Sequence, residues 1–281
     1  MAIPEIPFIT LNDGRRIPQL GLGMWQMPGD KVAGAVEAAL DAGYRAIDTA
    51  AAYFNEGELG AALKNTAVPR EQLYITTKLW NSEQGFDETL RAFDKSLGLL
   101  GLEYVDLYLI HWPLPMFDKY SDTWKALVRL RDEGRAKSIG VSNFNPDHLE
   151  RIIGESGVTP AVNQIELHPY FAQRAVREFH AQRGIAIESW SPLAQGRGLF
   201  EDATVAAIAQ KHGRTPAQIA IRWHIQQGLI VIPKSVTPSR IRENFAVTDF
   251  SLDADDVAAL DKLDSGRRLG PDPKLLDLLH I

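Results

Sequence analysis

Four residues suited to acid–base chemistry lie in the first half of the chain, each near the end of an apolar or β-branched run. Asp48 and Tyr53 occur in IDTAAAYFNE, Lys78 follows YITT, and His111 follows VDLYLI. A tyrosine, with an ordinary pKa of about 10, is a weak acid unless a neighbouring cation stabilises its phenolate. We therefore expect Lys78, held by Asp48, to lower the pKa of Tyr53. With His111 orienting a substrate oxygen, the set is suited to protonating a carbonyl oxygen while a hydride reaches its carbon.

Each of these residues also has an ordinary structural explanation. Asp48 is typical of a strand end or a helix start, Tyr53 of a packed loop aromatic, and His111 of a hydrogen-bonded core histidine. Lys78 is the least ordinary, because a lysine is rarely buried after a β-branched run. Their joint occurrence at successive strand ends favours the functional interpretation.

More polar and aromatic residues lie at, or just past, the ends of the predicted strands. The polar ones are Ser142, Asn143, Gln164, Lys234 and Ser235, and the aromatic ones are Trp25, Trp80, Trp112 and Trp190. Polar groups ringed by tryptophans are typical of a mouth that removes water from a small ligand.

The segment PKSVTPSRIRENF suggests a second binding feature. Lys234, Ser235 and Arg240 are suited to a phosphate monoester, because an ammonium and a guanidinium can share its charge. Pro238 and Ser239 resemble a helix start, whose first amides attract anions. From these residues alone, a solvated basic helix start explains the segment better.

The elements that must position these residues alternate along the chain. Eight short runs have the apolar or β-branched character of buried parallel strands, and they cover residues 19–23, 44–48, 73–78, 105–111, 138–142, 161–165, 185–190 and 229–234. Helical faces lie between them, for example Val32, Ala35, Val36 and Ala39, or Phe86, Leu90, Phe93, Leu97 and Leu100. Eight such alternations predict an α/β fold, a (β/α)8 TIM barrel with its chemistry at the strand ends.

The two termini add smaller features to this barrel. FITLNDGRRI predicts an N-terminal β-hairpin that turns at Asp13 and Gly14 and covers the lower end of the barrel. The segment from residue 265 to 281 predicts a C-terminal loop or a short helix. The gap between residues 190 and 229 has room for a long loop as well as a helix. We expect residues 1–281 to form a single domain.

Composition excludes several classes of function. The chain has 281 residues with 30 Lys+Arg and 36 Asp+Glu, a formal charge of −6, which argues against a nucleic-acid partner. It has no cysteine, and its seven histidines lack ligand spacing, so no metal site is predicted. The N-terminus does not resemble a signal peptide, and no apolar run approaches the ~18 residues of a membrane helix. We expect a cytoplasmic protein without a membrane partner, and a monomer.

Several motifs along the chain identify a family resemblance. The most specific are GYRAIDTAAAY, ITTKLWN, VDLYLIHWP, SIGVSNF, NQIELHP, ESWSPLAQG and IPKSVTPSRIRENF. With these motifs, the chain resembles the aldo-keto reductase superfamily over nearly its whole length, and most of all its bacterial 2,5-diketo-D-gluconate reductase branch. The resemblance implies NADPH-dependent reduction of small aldehydes, α-dicarbonyls or keto-sugar acids.

The resemblance also assigns roles to individual residues. Asp48, Tyr53, Lys78 and His111 would be catalytic, with Tyr53 as the proton donor. Trp25, Trp80 and Trp112 would line the substrate pocket. NADPH would be held by Ser142, Asn143, Gln164, Trp190, Ser191, Leu193, Gln195, Gly196, Lys234, Ser235, Val236, Arg240, Glu243 and Asn244. Within that set, Ser142, Asn143 and Gln164 would bind the nicotinamide carboxamide, and Trp190 would stack on the nicotinamide ring. The loop with Leu193, Gln195 and Gly196 would lie against the pyrophosphate. Lys234, Ser235 and Arg240 would bind the 2′-phosphate, and Glu243 and Asn244 would contact the adenine.

Two other classes of function remain open at the level of the sequence. One is a nucleotide-binding sensor or structural protein, which would not need both Tyr53 and Lys78. The other is a phosphate-binding barrel isomerase or aldolase in which Lys78 forms a Schiff base. The second alternative leaves Trp190 and the basic segment without a shared role.

Overall fold

The computed structural model describes residues 6–276, and its central feature is a barrel of eight parallel strands. In chain order these strands are β3 (Gly21–Gly23), β4 (Ala46–Asp48), β5 (Tyr74–Leu79), β6 (Val105–Ile110), β7 (Ala136–Ser142), β8 (Val162–Glu166), β9 (Ala186–Trp190) and β10 (Ile230–Val231). Each strand pairs with the next along the chain. A parallel bridge between Leu20 and Val231 joins the first strand to the last and closes the barrel. The predicted fold is confirmed.

All eight predicted strands are present, and the largest difference is at the last one. The expected strand over residues 229–234 is reduced to the two residues of β10. Pro233 has no backbone N–H and cannot continue the ladder. Its carbonyl still accepts a hydrogen bond from the Gly23 N–H (3.2 Å), which holds this end of the chain against β3.

Ten described helices surround the barrel. They are α1 (Gly29–Ala42), α2 (Glu56–Asn65), α3 (Phe86–Leu100), α4 (Tyr120–Asp132), α5 (Pro146–Ser156), α6 (Arg174–Arg183), α7 (Ala203–His212), α8 (Pro216–Gln226), α9 (Pro238–Phe245) and α10 (Ala254–Asp261). The gap between β9 and β10 therefore holds a loop and two helices. No helix in the described part is long and apolar enough to cross a membrane.

The predicted helical faces are largely those that pack on the strands. In α1 the four predicted residues are all buried, and in α3 Phe93, Leu97 and Leu100 are buried. Phe86 is instead 38% exposed. It is the first residue of α3, where the chain leaves the mouth of the barrel and solvent reaches the side chain.

The N-terminal hairpin closes one end of the barrel. Strands β1 (Phe8–Thr10) and β2 (Arg16–Pro18) pair antiparallel, and Gly14 in their turn has a φ of 82°, which glycine adopts without strain. The side chains of Leu11 and Ile17 form an apolar cluster with the first residues of β4 and β5. This hairpin was predicted, and it leaves the carboxyl end of the strands as the accessible mouth.

The described part of the C-terminal segment, residues 265–276, is a loop that crosses the opposite end. The N–H groups of Leu269 and Gly270 donate to the carboxylate of Glu166, at 2.6 and 2.9 Å. Glu166 is the last residue of β8, so the loop is fixed at the mouth. The last five residues of the segment lie outside the described range.

Candidate active site

The four predicted catalytic residues come from neighbouring strands at the carboxyl end of the barrel. Asp48 ends β4, Lys78 lies near the end of β5, and His111 directly follows β6. Tyr53 ends a short 3-10 turn over Ala51–Tyr53, just after β4. Because the strands are parallel and adjacent, their carboxyl ends bring residues from distant parts of the chain to one place.

Lys78 is the centre of this group. Its Nζ donates hydrogen bonds to Asp48 Oδ1 (2.5 Å), to the Thr49 carbonyl (2.9 Å) and to Tyr53 Oη (3.3 Å). The side chain is fully buried. A buried ammonium is tolerated only where an opposite charge and hydrogen-bond acceptors compensate for lost water, and Lys78 has three such partners.

The charge state of Lys78 follows from the same contacts. Burial lowers the pKa of Lys78, but the charge of Asp48 and the phenol of Tyr53 outweigh burial and raise it above its ordinary value. Lys78 therefore remains an ammonium ion at neutral pH. A protonated amine has no lone pair for attack on a carbonyl, so this geometry disfavours the Schiff-base alternative.

Lys78 lowers the pKa of Tyr53, as expected, but burial outweighs this effect and the net shift is upward. Burial raises the pKa of Tyr53 above 10, and Lys78 offsets only part of that rise because Asp48 acts in the opposite sense. Burial outweighs the ammonium because a phenolate is costly to desolvate. Tyr53 is consequently a neutral phenol at neutral pH, a state that can donate a proton.

His111 lies against this phenol and against two of the predicted tryptophans. Its ring contacts those of Tyr53 edge-on (centroids 5.7 Å apart), Trp80 edge-on (5.4 Å) and Trp112 stacked (6.5 Å). Burial, with the nearby charge of Lys78, holds the pKa of His111 well below 6.5. The imidazole is therefore neutral and can offer one N–H donor to an oxygen atom.

The remaining predicted substrate residue lies further out on the rim. Trp25 follows β3 and is 45% exposed. Sequence reasoning missed Phe54, which follows Tyr53 and is 87% exposed with a φ of 53°. An exposed aromatic residue in the left-handed region is unusual, and it adds apolar surface next to Tyr53.

A second group of predicted residues lies on β7, β8 and β9. Ser142 Oγ donates to the Gln164 carbonyl (2.8 Å), and Asn143 Nδ2 donates to the His111 carbonyl (3.0 Å). The indole N–H of Trp190 donates to Asn143 Oδ1 (2.9 Å). These bonds join the residues predicted to bind the nicotinamide to one another and to the predicted catalytic group.

Gln164 connects this second group directly to the carboxylate of Asp48. Its Nε2 donates to Asp48 Oδ2 (2.8 Å) and to Glu188 Oε2 (2.6 Å). Sequence reasoning missed Glu188, and it also missed Glu166, which accepts from the C-terminal loop and contacts His168 Nε2 (3.0 Å). For Glu188, the available indication was an acidic residue in the middle of the short strand AIESW.

The loop after β9 carries the residues predicted to lie along a pyrophosphate. Ser191 and Gln195 have φ values of 49° and 52°, and Gly196 has 71°. Gln195 and Gly196 belong to the short turn Ala194–Gly196, and the preceding Leu193 packs on the apolar core. Positive φ values in non-glycine residues are costly and tend to occur where the backbone serves a ligand.

The predicted phosphate residues follow β10. Lys234 and Arg240 are exposed, and no carboxylate within residues 6–276 forms an ion pair with either. The predicted helix start is confirmed, since α9 begins at Pro238. The other predicted residues lie just before that helix or on it. Before it, the Ser235 hydroxyl accepts from the Thr237 N–H, and Val236 packs on the core. On the helix, Glu243 accepts from Thr215 Oγ1, and Asn244 is buried.

The two groups of predicted residues therefore lie on different strands around the barrel mouth. The predicted catalytic residues lie on or just after β4, β5 and β6, whereas the predicted cofactor residues lie on or just after β7, β8, β9 and β10. In the described chain, no three histidine or acidic side chains are arranged to bind a metal ion.

Comparison with known proteins agrees with this arrangement. The model of the aldo/keto reductase family matches residues 19–265. An aldo-keto reductase of Mycolicibacterium smegmatis is 59% identical over 268 residues, which cover 95% of this chain and 97% of the relative. The methylglyoxal reductase DkgA of Escherichia coli is 55% identical over 274 residues, which cover 97% of this chain and 98% of the relative.

Solved structures give the same result. A variant of Gox0644 in complex with NADPH superposes with a TM-score of 0.94 at 51% identity, covering 98% of this chain and all of its own. The aldo-keto reductase of Bombyx mori in complex with NADP superposes with a TM-score of 0.87 at 38% identity, covering 94% and 95%. The family and the branch indicated by the sequence motifs are confirmed: this chain belongs to the aldo/keto reductase family.

Proposed function

We propose that this protein reduces small carbonyl compounds to alcohols with NADPH, and that Tyr53 is the proton donor. One observation carries the proposal. The buried ammonium of Lys78 is hydrogen-bonded to both Asp48 and the phenol of Tyr53, and the neutral ring of His111 lies against that phenol. A pure nucleotide-binding protein has no need to maintain so costly a buried charge next to a phenol.

The residues present fit NADPH. Lys234 and Arg240 are exposed cations without an acidic partner in the described chain, as a 2′-phosphate would require. The buried polar side chains of Asn143 and Gln164 suit a carboxamide. Trp190 lies on β9, between β8, which carries Gln164, and β10, which Lys234 follows. The chemistry that NADPH supplies when bound is a hydride for the carbonyl carbon.

The chain's own residues then handle the oxygen. His111 donates a hydrogen bond to the carbonyl oxygen and fixes its position beside Tyr53. The phenol of Tyr53 gives its proton to that oxygen as negative charge develops, and this transfer is favourable because an alkoxide is a stronger base than a phenolate. Lys78 stabilises the resulting phenolate, and Asp48 keeps the ammonium in place.

The substrates we propose are small aldehydes, α-dicarbonyls and keto-sugar acids. Relatives named methylglyoxal reductase support the α-dicarbonyl class. The rings of Trp80 and Trp112 beside His111 leave apolar walls around the reacting group, which suit compact or aromatic carbonyls.

Substitution of Tyr53 by phenylalanine tests the proposal. In Tyr53→Phe we expect kcat for methylglyoxal to fall by roughly 10²- to 10⁴-fold, the usual contribution of a general acid, while the NADPH Kd stays within about twofold. NADPH consumption and fluorescence titration measure the two quantities, and phenylglyoxal and 2,5-diketogluconate extend the substrate panel. Turnover close to that of the wild type would refute Tyr53 as the donor.

A further inference from the structure

Glu188 is a buried carboxyl group at the centre of the barrel that the proposed chemistry does not include. It lies on β9, two residues before Trp190, and its side chain is almost inaccessible to solvent. Side chains two residues apart on a strand face the same side, about 6.6 Å apart along it. Glu188 is therefore one layer deeper in the barrel than Trp190.

Glu188 contacts a cofactor residue. In the pairing of β8 with β9, Gln164 lies directly opposite Glu188, and its Nε2 donates to Glu188 Oε2 at 2.6 Å. The same nitrogen donates to Asp48 Oδ2 at 2.8 Å. Both N–H groups of the amide are thus used by carboxyl oxygens, and the amide oxygen of Gln164 is left as its acceptor. Because both acceptors bond the amide nitrogen, they fix the positions of the nitrogen and the oxygen of the Gln164 amide.

The charges around Glu188 explain how two carboxyl groups share this space. The titratable groups that face it are Asp48 from β4, Tyr53 from the turn after β4, and Lys78 and Tyr74 from β5. Burial, reinforced by the charge of Asp48, raises the pKa of Glu188 to about 8. At neutral pH Glu188 is therefore largely protonated, and it accepts from Gln164 without placing a second negative charge beside Asp48.

We propose that Glu188 is a positioning residue: it holds the amide of Gln164 so that the amide oxygen faces the carboxamide of the nicotinamide. This inference rests on the proposed function, in which Gln164 binds that carboxamide. Without an acceptor at residue 188, one N–H of Gln164 would be buried and unpaired, a situation that favours rotation of the amide. Glu188 also ties the cofactor residue to the catalytic group, since Gln164 bonds Asp48 with the same nitrogen.

Two substitutions separate this role from mere packing. Glu188→Met keeps the volume and removes the acceptor, whereas Glu188→Gln keeps an acceptor oxygen. We expect Glu188→Met to raise the NADPH Kd by roughly three- to tenfold, the effect of one hydrogen bond, and Glu188→Gln to stay within about twofold of the wild type. If Glu188→Met does not fold, Glu188→Ser replaces it, because its hydroxyl is too short to reach Gln164.

The decisive measurement is a double-mutant cycle with Gln164→Ala, read by fluorescence titration with NADPH. If Glu188 acts through Gln164, then Glu188→Met has no further effect on the Kd in the Gln164→Ala background. Additive effects, or an unchanged Kd in Glu188→Met while the wild type binds NADPH, would overturn the inference. Absence of NADPH binding by the wild type would instead refute the proposed function.

A control variant tests whether a loss of stability alone weakens NADPH binding. Glu56 is another buried glutamate, hydrogen-bonded to Thr77 and Ser96 and without contact to Gln164. We expect Glu56→Met to lower the melting temperature and leave the NADPH Kd unchanged. A rise in Kd equal to that of Glu188→Met would show that loss of stability, rather than the position of Gln164, weakens binding.

Discussion

At the scale of single residues, the site is defined by how burial and charge oppose each other. Burial lowers the pKa of both Lys78 and His111, yet only His111 becomes neutral, because Lys78 has Asp48 at 2.5 Å. One cation and one neutral donor therefore lie beside the phenol of Tyr53. If Lys78 were neutral and His111 protonated, the site would lose both the cation that stabilises a phenolate and the neutral hydrogen-bond donor.

Cofactor preference is also decided by single side chains, and Arg240 provides a direct test. It is exposed on the first turn of α9. If it binds the 2′-phosphate, Arg240→Ala should raise the NADPH KM by at least about tenfold, as for a lost charge-assisted bond, and change the NADH KM by less than twofold. Arg242→Ala is a matched control, an exposed arginine of the same helix for which we expect neither KM to change. Equal increases for NADPH and NADH in Arg240→Ala would contradict the phosphate role.

At the scale of elements, the C-terminal loop is the feature that strand and helix patterns could not place. Two backbone N–H groups of this loop bond the carboxylate of Glu166 at the end of β8, and the Ser265 N–H bonds the Tyr170 carbonyl. These bonds hold Gly270 against the indole of Trp190, where a Cβ atom would lie 2.5 Å from Cη2. Only glycine fits between the loop and the ring.

Gly270→Ala should therefore displace either the loop or the indole. Because Trp190 is the proposed stacking residue, we expect the NADPH Kd to rise about fivefold or more, within the range of one lost contact. Gly154→Ala in α5, where a Cβ atom meets nothing within 4 Å, is the matched control and should leave the Kd unchanged. A Gly270→Ala variant that binds NADPH like the wild type would show that the indole does not depend on this contact.

At the scale of the whole molecule, buried titratable groups set how stability depends on pH. Burial lowers the pKa of His224 from 6.5 to about 4, and burial raises that of Glu188 from 4.5 to about 8. Between pH 6.5 and 4 the unfolded chain binds a proton at His224 that the folded protein does not, so stability falls as pH falls. Between pH 4.5 and about 8 the folded protein keeps a proton at Glu188 that the unfolded chain loses, so stability falls as pH rises.

The alkaline side of this profile can be tested with one substitution. From pH 6.5 to 8 we expect the free energy of unfolding to decrease with a slope of up to about 1.4 kcal/mol per pH unit from Glu188, and Glu188→Gln should remove that part of the slope. Urea denaturation of both proteins at pH 6.5 and 8 measures the difference. Parallel slopes would show that the carboxyl group is already ionised in the folded protein.

The sequence alone determined the barrel and most residues of its mouth. Strand and helix periodicities are local properties, so all eight strands, the hairpin and the position of Asp48, Lys78 and His111 at strand ends could be predicted. The family resemblance then assigned roles to Tyr53 and to the residues on β7, β8 and β9 that cluster around Gln164.

Only the tertiary structure decided which groups meet across the barrel and what charge they carry. Glu188 and Asp48 are 140 positions apart, yet closure of the barrel brings both to the amide of Gln164. The raised pKa of Tyr53 and the contact of Gly270 with Trp190 also result from the packing of separate elements against one another. Burial and distances through space depend on all elements at once, and no local pattern of residues encodes them.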